Sequence, residues 1–157
     1  MKKFLIGLLI TMLLLIFGVT TLVTRSLSPY NQARAETIAL AERRADLVEA
    51  DEFYWYNGDE TFFTITGENS EGIPIVVIVQ QDGGAIEVFN QEDIISEHEA
   101  IVETHNRENP EKILEARIGI YNDQPVWEVS FRLENEQIGY TLLSLTSGEW
   151  IRTIKNI

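Results

Sequence analysis

Residues 121–151 read YNDQPVWEVSFRLENEQIGYTLLSLTSGEWI, and the chain carries an earlier version of the same stretch. Displaced by 65 positions without a gap, Tyr121 falls on Tyr56, Asn122 on Asn57, Trp127 on Phe62, Ile138 on Ile73, Gly148 on Gly83 and Ile151 on Ile86. Within the later copy, Trp127, Val129, Phe131 and Leu133 alternate with Glu128, Ser130, Arg132 and Glu134. That period of two belongs to a strand with one buried and one wet face. NDQP before it and SGE after it are turn chemistry, because Asn, Asp and Gly tolerate positive φ and Pro presets a turn position. NGDE and QDGG hold the same places in the earlier copy. The two copies therefore predict two modules of short antiparallel strands that share one topology.

The chain opens with Met1, Lys2 and Lys3, followed by twenty residues (4–23) whose only polar members are Thr11, Thr20 and Thr21. As a helix this run is about 30 Å long, the thickness of a bilayer's hydrocarbon core. Two lysines before it and Arg25 after it place the N-terminus in the cytoplasm and the C-terminal part outside the cell membrane. The run is longer than the apolar core of a signal peptide, and the only A-x-A lies well downstream at Ala33-Arg34-Ala35, so an uncleaved single-pass anchor is expected. With no cysteine in the chain, lipid attachment after the span and disulfides are excluded. Beyond Arg25 stand 132 residues with nine basic side chains against all 25 acidic ones, a formal charge of −16. Such a surface repels nucleic acid and anionic polymers, and it also keeps an exported domain soluble.

Ser28-Pro29 is expected to end the membrane helix. A second helix then starts near Gln32, with Ala35, Ile38, Ala41, Ala45 and Val48 on one small apolar face that lies across the first set of strands. Those strands begin with Phe53, Tyr54, Trp55 and Tyr56, alternating Phe53 and Trp55 against Tyr54 and Tyr56. Both faces need cover; the helix takes one, and the other is either a partner surface or the packing face between modules. The unbroken apolar run 75–79 suits a central strand buried on both sides. A further helix is expected over 91–105, with the stripe Ile94, Ile95, His98, Ile101, Val102 and His105, followed by a strand over 112–120. The fold class is thus α+β: a transmembrane helix followed by two tandem helix-on-antiparallel-sheet modules. The domains are residues 1–25 (cytoplasmic stub and anchor), 26–89 (first module) and 90–157 (second module).

No motif points to catalysis. His98 and His105 stand seven apart in HEAIVETH, about 10 Å along a helix axis, too far for one metal ion. The place where an HExxH site needs its second histidine holds Val102. G-x-S-x-G and phosphate-cradling glycine patterns are absent, and Asp82-Gly83-Gly84 is a hairpin turn. No catalytic, metal or cofactor-binding residue is assigned, and no small-molecule cofactor is expected. Because aromatic side chains dominate interface energetics, Tyr54, Trp55, Tyr56 and Trp150 are the candidates for a partner contact.

The N-terminal apolar run, the alanine-rich helix, the strand FYWYNGDETFFTITG and the ending EARIGIYNDQPVWEVSFRLENEQIGYTLLSLTSGEWI together resemble the TseB-like cell wall elongation regulators. These are single-pass proteins of Gram-positive bacteria with two outside modules related to PepSY and cystatin folds. The PepSY-like pattern of a YxVxF-type strand and a T-x-G turn is matched by residues 127–131 and 146–150, and departs in the first copy at Gln81-Asp82-Gly83. The resemblance implies a non-enzymatic, membrane-anchored extracytoplasmic regulator of peptidoglycan synthesis whose partner is a penicillin-binding transpeptidase of the elongation machinery. The alternative it implies is a PepSY-type inhibitor or chaperone of an exported protease.

Overall fold

The structure, a computed structural model, describes the backbone of residues 2–155 and the side chains of residues 9–21 and 28–155. Met1–Glu36 form one compact unit and Thr37–Ile157 another. Helix α1 (Lys2–Ala45) contains Pro29 in its interior, so the expected break at Ser28-Pro29 does not occur. An internal proline costs a helix about 3 kcal/mol, and the Ala- and Arg-rich sequence that follows Pro29 is made largely of strong helix formers. The apolar run 4–23 falls partly outside the described side chains; among the described residues no helix is long and apolar enough to cross a membrane. The helix ends where Asp46 takes a left-handed φ of 53°. Thr37 and Ala41 are buried, whereas Val48 lies beyond the helix and is exposed, which removes it from the expected apolar stripe.

Two four-stranded sheets follow, each antiparallel with its strands in chain order. The first comprises β1 (Leu47–Asn57), β2 (Thr61–Asn69), β3 (Pro74–Gln80) and β4 (Ile86–Asn90), the second β5 (Lys112–Tyr121), β6 (Gln124–Arg132), β7 (Ile138–Ser144) and β8 (Trp150–Lys155). The displacement of 65 positions carries Leu47, at the start of β1, onto Lys112, at the start of β5. The repeat in sequence is a repeat in structure. In β3, Ile75 to Val79 are all buried, as a strand apolar on both faces should be.

Helix α2 (Glu97–Glu108) is shorter than the expected 91–105 and its buried face is different. Residues Gln91–Asp93 form a separate 3-10 turn. Ser96 caps α2 through a reciprocal capping box with Glu99, which sets the helix start at Glu97. Ile94 and Ile95 therefore precede the helix and dock as extended chain, with Ile95 N donating to Leu145 O at 2.9 Å. The residues α2 buries are Ala100 and Thr104, one turn apart, and His98, Val102 and His105 are exposed. Small side chains on the inner face let α2 lie close to β5 and β6. Asn109 ends the helix in the left-handed conformation at φ 44°.

One core runs through both sheets: Tyr56, Phe62, Val76 and Ile78 of the first are continuous with Ile118, Trp127, Val129 and Leu143 of the second and with Ala100 of α2. A module of roughly 60 residues has a marginal core on its own; sharing one offsets that weakness.

Candidate functional site

The junction between the sheets is built from one edge strand. β5 is the first strand of its sheet, so its outward carbonyls have no strand partner. One of them, Ile118 O, accepts a hydrogen bond from the buried hydroxyl of Thr64 on β2 at 3.1 Å. The edge of one sheet thereby docks on the face of the other, and an otherwise adhesive edge is satisfied.

Tyr54 and Tyr56 flank that contact. The Tyr54 ring meets Trp127 edge-on at 5.5 Å, and its hydroxyl donates to Glu97 at 3.4 Å. Burial first, then Glu97 and Glu52, push its ionisation well above the usual tyrosine range. Trp127 in turn donates its indole N–H to Ile95 O at 2.9 Å, tying β6 to the segment before α2. Tyr56 is 1 % exposed. Burial, followed by Glu128 and Asp59, raises its pKa to about 12. Both tyrosines thus serve the packing between modules. Trp55 points the other way, edge-on to Phe63 at 5.1 Å with its indole N–H bonded to Asn57 Oδ1 at 2.9 Å.

Trp150, the fourth candidate, begins β8 and is 46 % exposed. Arg107, in the last turn of α2, holds its guanidinium 5.2 Å from the indole centroid. The indole N–H donates to Thr153 Oγ1 at 2.9 Å, and that hydroxyl donates to Glu108 Oε1 at 2.8 Å. The Glu108 side chain, 7 % exposed, is also paired with Lys155. Burial pushes its carboxyl up, but Lys155, Thr153 and Arg107 outweigh that and hold it below the usual carboxylate range. The network fixes the indole on a rigid platform, and a preorganised exposed aromatic loses little entropy when a partner covers it. Trp55 and Trp150 are not brought together: one lies on the first sheet, the other at the edge of the second.

The face of the second sheet turned away from α2 carries the chemistry that the sequence reading missed. Across it, Arg117, Glu128, Leu142 and Arg152 are successive cross-strand partners on β5, β6, β7 and β8. The buried Tyr56 and the β1–β2 turn, with Asp59, wall this row into a pocket of about 370 Å³ that Tyr121 and Tyr140 also line. Arg117 is paired with Glu115 at 3.1 Å, and Arg152 donates to the Tyr121 hydroxyl at 2.7 Å. Glu128 is half-buried; desolvation raises its pKa, Arg117 opposes that and Glu115 adds to it. A signal was available in the repeat. At the positions 65 earlier the first copy has Glu52, Phe63 and Glu87, so the second copy replaces two acids by arginines and an aromatic by an acid.

On the α2 side of the junction a second hollow, of about 600 Å³, is lined by Tyr54, Ile95 and Trp127 together with the acids Asp51, Glu92 and Glu99. Among the described residues no group of three histidine, cysteine or acidic side chains is placed to hold a metal ion.

Residues 36–80, the end of α1 through β3, match the family model described as the cell wall elongation regulator TseB-like domain. The match covers the strand FYWYNGDETFFTITG and leaves out the ending at 115–151 on which the resemblance also rests. Among solved structures, the YpmB protein from Bacillus subtilis superposes with a TM-score of 0.70 at 21 % identity, over 76 % of this chain and 94 % of that one. That likeness establishes a shared fold. A lipoprotein from Clostridium difficile gives a TM-score of 0.42 at 9 % identity over 74 % of this chain and 88 % of that one, too low to carry an argument. No curated protein sequence matches the chain.

Proposed function

We propose, from the cell wall elongation regulator TseB-like domain in its first module, that this chain is a membrane-anchored, extracytoplasmic, non-enzymatic regulator of peptidoglycan elongation. It acts by contacting a penicillin-binding transpeptidase. The observation that carries the reading is the TseB-like match at residues 36–80. The exposed apolar surface of α1 supports the anchor: Leu9, Leu13, Ile16, Phe17 and Val19 are more than half or half exposed around the helix. A helix apolar on every side is suited to lipid. Confinement of regulator and enzyme to one membrane raises their effective concentration, so a small interface around Trp150 suffices.

Deletion of the gene, followed by fluorescent D-amino-acid labelling of growing cells, tests the reading. The expected result is altered incorporation along the cell cylinder, restored by the full chain and not by its first 32 residues. Unchanged incorporation in the deletion strain would refute it.

A further inference from the structure

Outside the Trp150 platform the described surface holds three hollows: the acid-lined one beside α2, the acidic mouth at the β1–β2 and β5–β6 turns, and the pocket on the open face of the second sheet. The first two hold carboxylates of a single sign and nothing that selects a ligand. The third is built differently. Its row Arg117, Glu128, Leu142, Arg152 places charges of both signs on one sheet face, at a spacing of about 4.8 Å per strand. The whole row spans about 15 Å.

The charges in this row are only partly offset: Arg117, across from Glu128, opposes the rise in its pKa without forming an ion pair with it. Arg117 is engaged by Glu115 and Arg152 by the Tyr121 hydroxyl, while the Glu128 carboxylate makes no hydrogen bond or ion pair within the described residues. A half-buried carboxylate with no direct hydrogen bond is costly, and desolvation displaces its titration upward in spite of the nearby Arg117. The wall is fixed independently of any ligand. Tyr56 is locked over Gly119, and Gly58 in the β1–β2 turn lies so close to the Tyr56 ring that an added Cβ would stand 2.7 Å from it. The rigid pocket is lined by Glu128 and Asp59 of one sign and by Arg117 and Arg152 of the other. Among the described residues Glu128 is outside any direct ion pair and the Arg152 guanidinium is bonded only to a neutral hydroxyl, so the pocket is complementary to a molecule carrying both charges.

We propose that this pocket binds a small zwitterion, an amino acid or the end of a short peptide, with Glu128 receiving its ammonium group and Arg152 its carboxylate. Arg152 has donors left beyond the one it gives Tyr121, and a guanidinium matches a carboxylate with two parallel hydrogen bonds. The volume of about 370 Å³ suits one or two residues. Tyr121 and Tyr140 supply flat apolar surface for the stem between the charges. The site is independent of the transpeptidase contact, since Trp150 does not line it.

The test is a titration of the full chain in detergent micelles with alanyl-alanine, followed by NMR shifts of the tyrosine rings. N-acetyl-alanyl-alanine, which lacks the ammonium, and alanyl-alanine amide, which lacks the carboxylate, are titrated in parallel. The zwitterion is expected to bind and each blocked form to bind at least about tenfold more weakly, as the loss of one charge-assisted hydrogen bond dictates. Glu128→Gln is expected to abolish the preference for a free ammonium and keep the preference for a free carboxylate; Arg152→Gln does the reverse. Equal binding of all three peptides, no binding up to about 10 mM, weaker than any ordinary specific site, or binding of N-acetylglucosamine in their place would each overturn the proposal.

Discussion

Tyr56 stands on Gly119: a Cβ built on that glycine would lie 2.2 Å from Cγ of the tyrosine ring. The contact joins β1 of the first sheet to β5 of the second, and it admits no side chain. Gly119→Ala is expected to destabilise the protein by about 3 kcal/mol, the upper end of the overpacking range, because the ring it displaces is held on all sides. The measurement is urea unfolding of the wild type, Gly119→Ala, Tyr56→Leu and the double variant. A smaller loss for Gly119→Ala in the Tyr56→Leu background identifies the clash as its cause.

The same junction is held by the Thr64 hydroxyl on Ile118 O. Thr64→Val keeps the shape, removes the donor and leaves a buried edge carbonyl without its partner. A loss of about 1–3 kcal/mol is expected, together with faster exchange of the β5 amides with solvent.

Thr104 presents the opposite case. Its Oγ1 is buried against the sheet without a hydrogen-bond partner. Replacing the hydroxyl by a methyl group in Thr104→Val removes an unsatisfied polar atom at constant volume, so the variant is expected to be more stable by about 1 kcal/mol. Thermal unfolding checks the sign.

Two carboxylates make opposite contributions to pH dependence. Glu108 is held below its ordinary value of 4.5, so its stabilisation is present above that value and is lost as the pH falls through the folded pKa. Glu108→Gln is therefore expected to be less stable than wild type at pH 7, with the gap closing on acidification. Glu128 is raised above 4.5, so it is harmless below that value and destabilises as the pH rises through the folded pKa and the carboxylate ionises. Glu128→Gln is expected to be more stable than wild type at pH 7 and equal to it below 4.5. Melting temperatures across pH 3 to pH 8, around the ordinary carboxylate value, test both signs in one series.

The strands were legible because alternation and turn residues are local. Trp127-Glu128-Val129-Ser130-Phe131 placed β6, Asp82-Gly83-Gly84 placed the β3–β4 turn, and the 65-residue displacement paired the two sheets. The ends of the helices were less legible. Pro29 signals a stop, yet the helix formers beyond it carry α1 on to Ala45. Ile94, Ile95 and the histidines mimic an apolar helical stripe, while the capping box at Ser96 sets the true start of α2. The candidate site divided along the same line. Trp150 is exposed, whereas Tyr54 and Tyr56 are drawn into the junction by Trp127 and Gly119, partners more than 60 positions away. The row Arg117, Glu128, Arg152 depends on sheet register and on a wall supplied by the other module, neither of which a local pattern contains.

The proposed contact between the Trp150 platform and a penicillin-binding transpeptidase is read out by a photocrosslinking amino acid placed at position 150 of the full-length chain in growing cells. The same group at position 48, an exposed valine on the first sheet, serves as control. A transpeptidase of the elongation machinery, identified by mass spectrometry, is expected to be captured from position 150 and not from position 48. Capture of an exported protease from position 150, or no difference between the two positions, would contradict it.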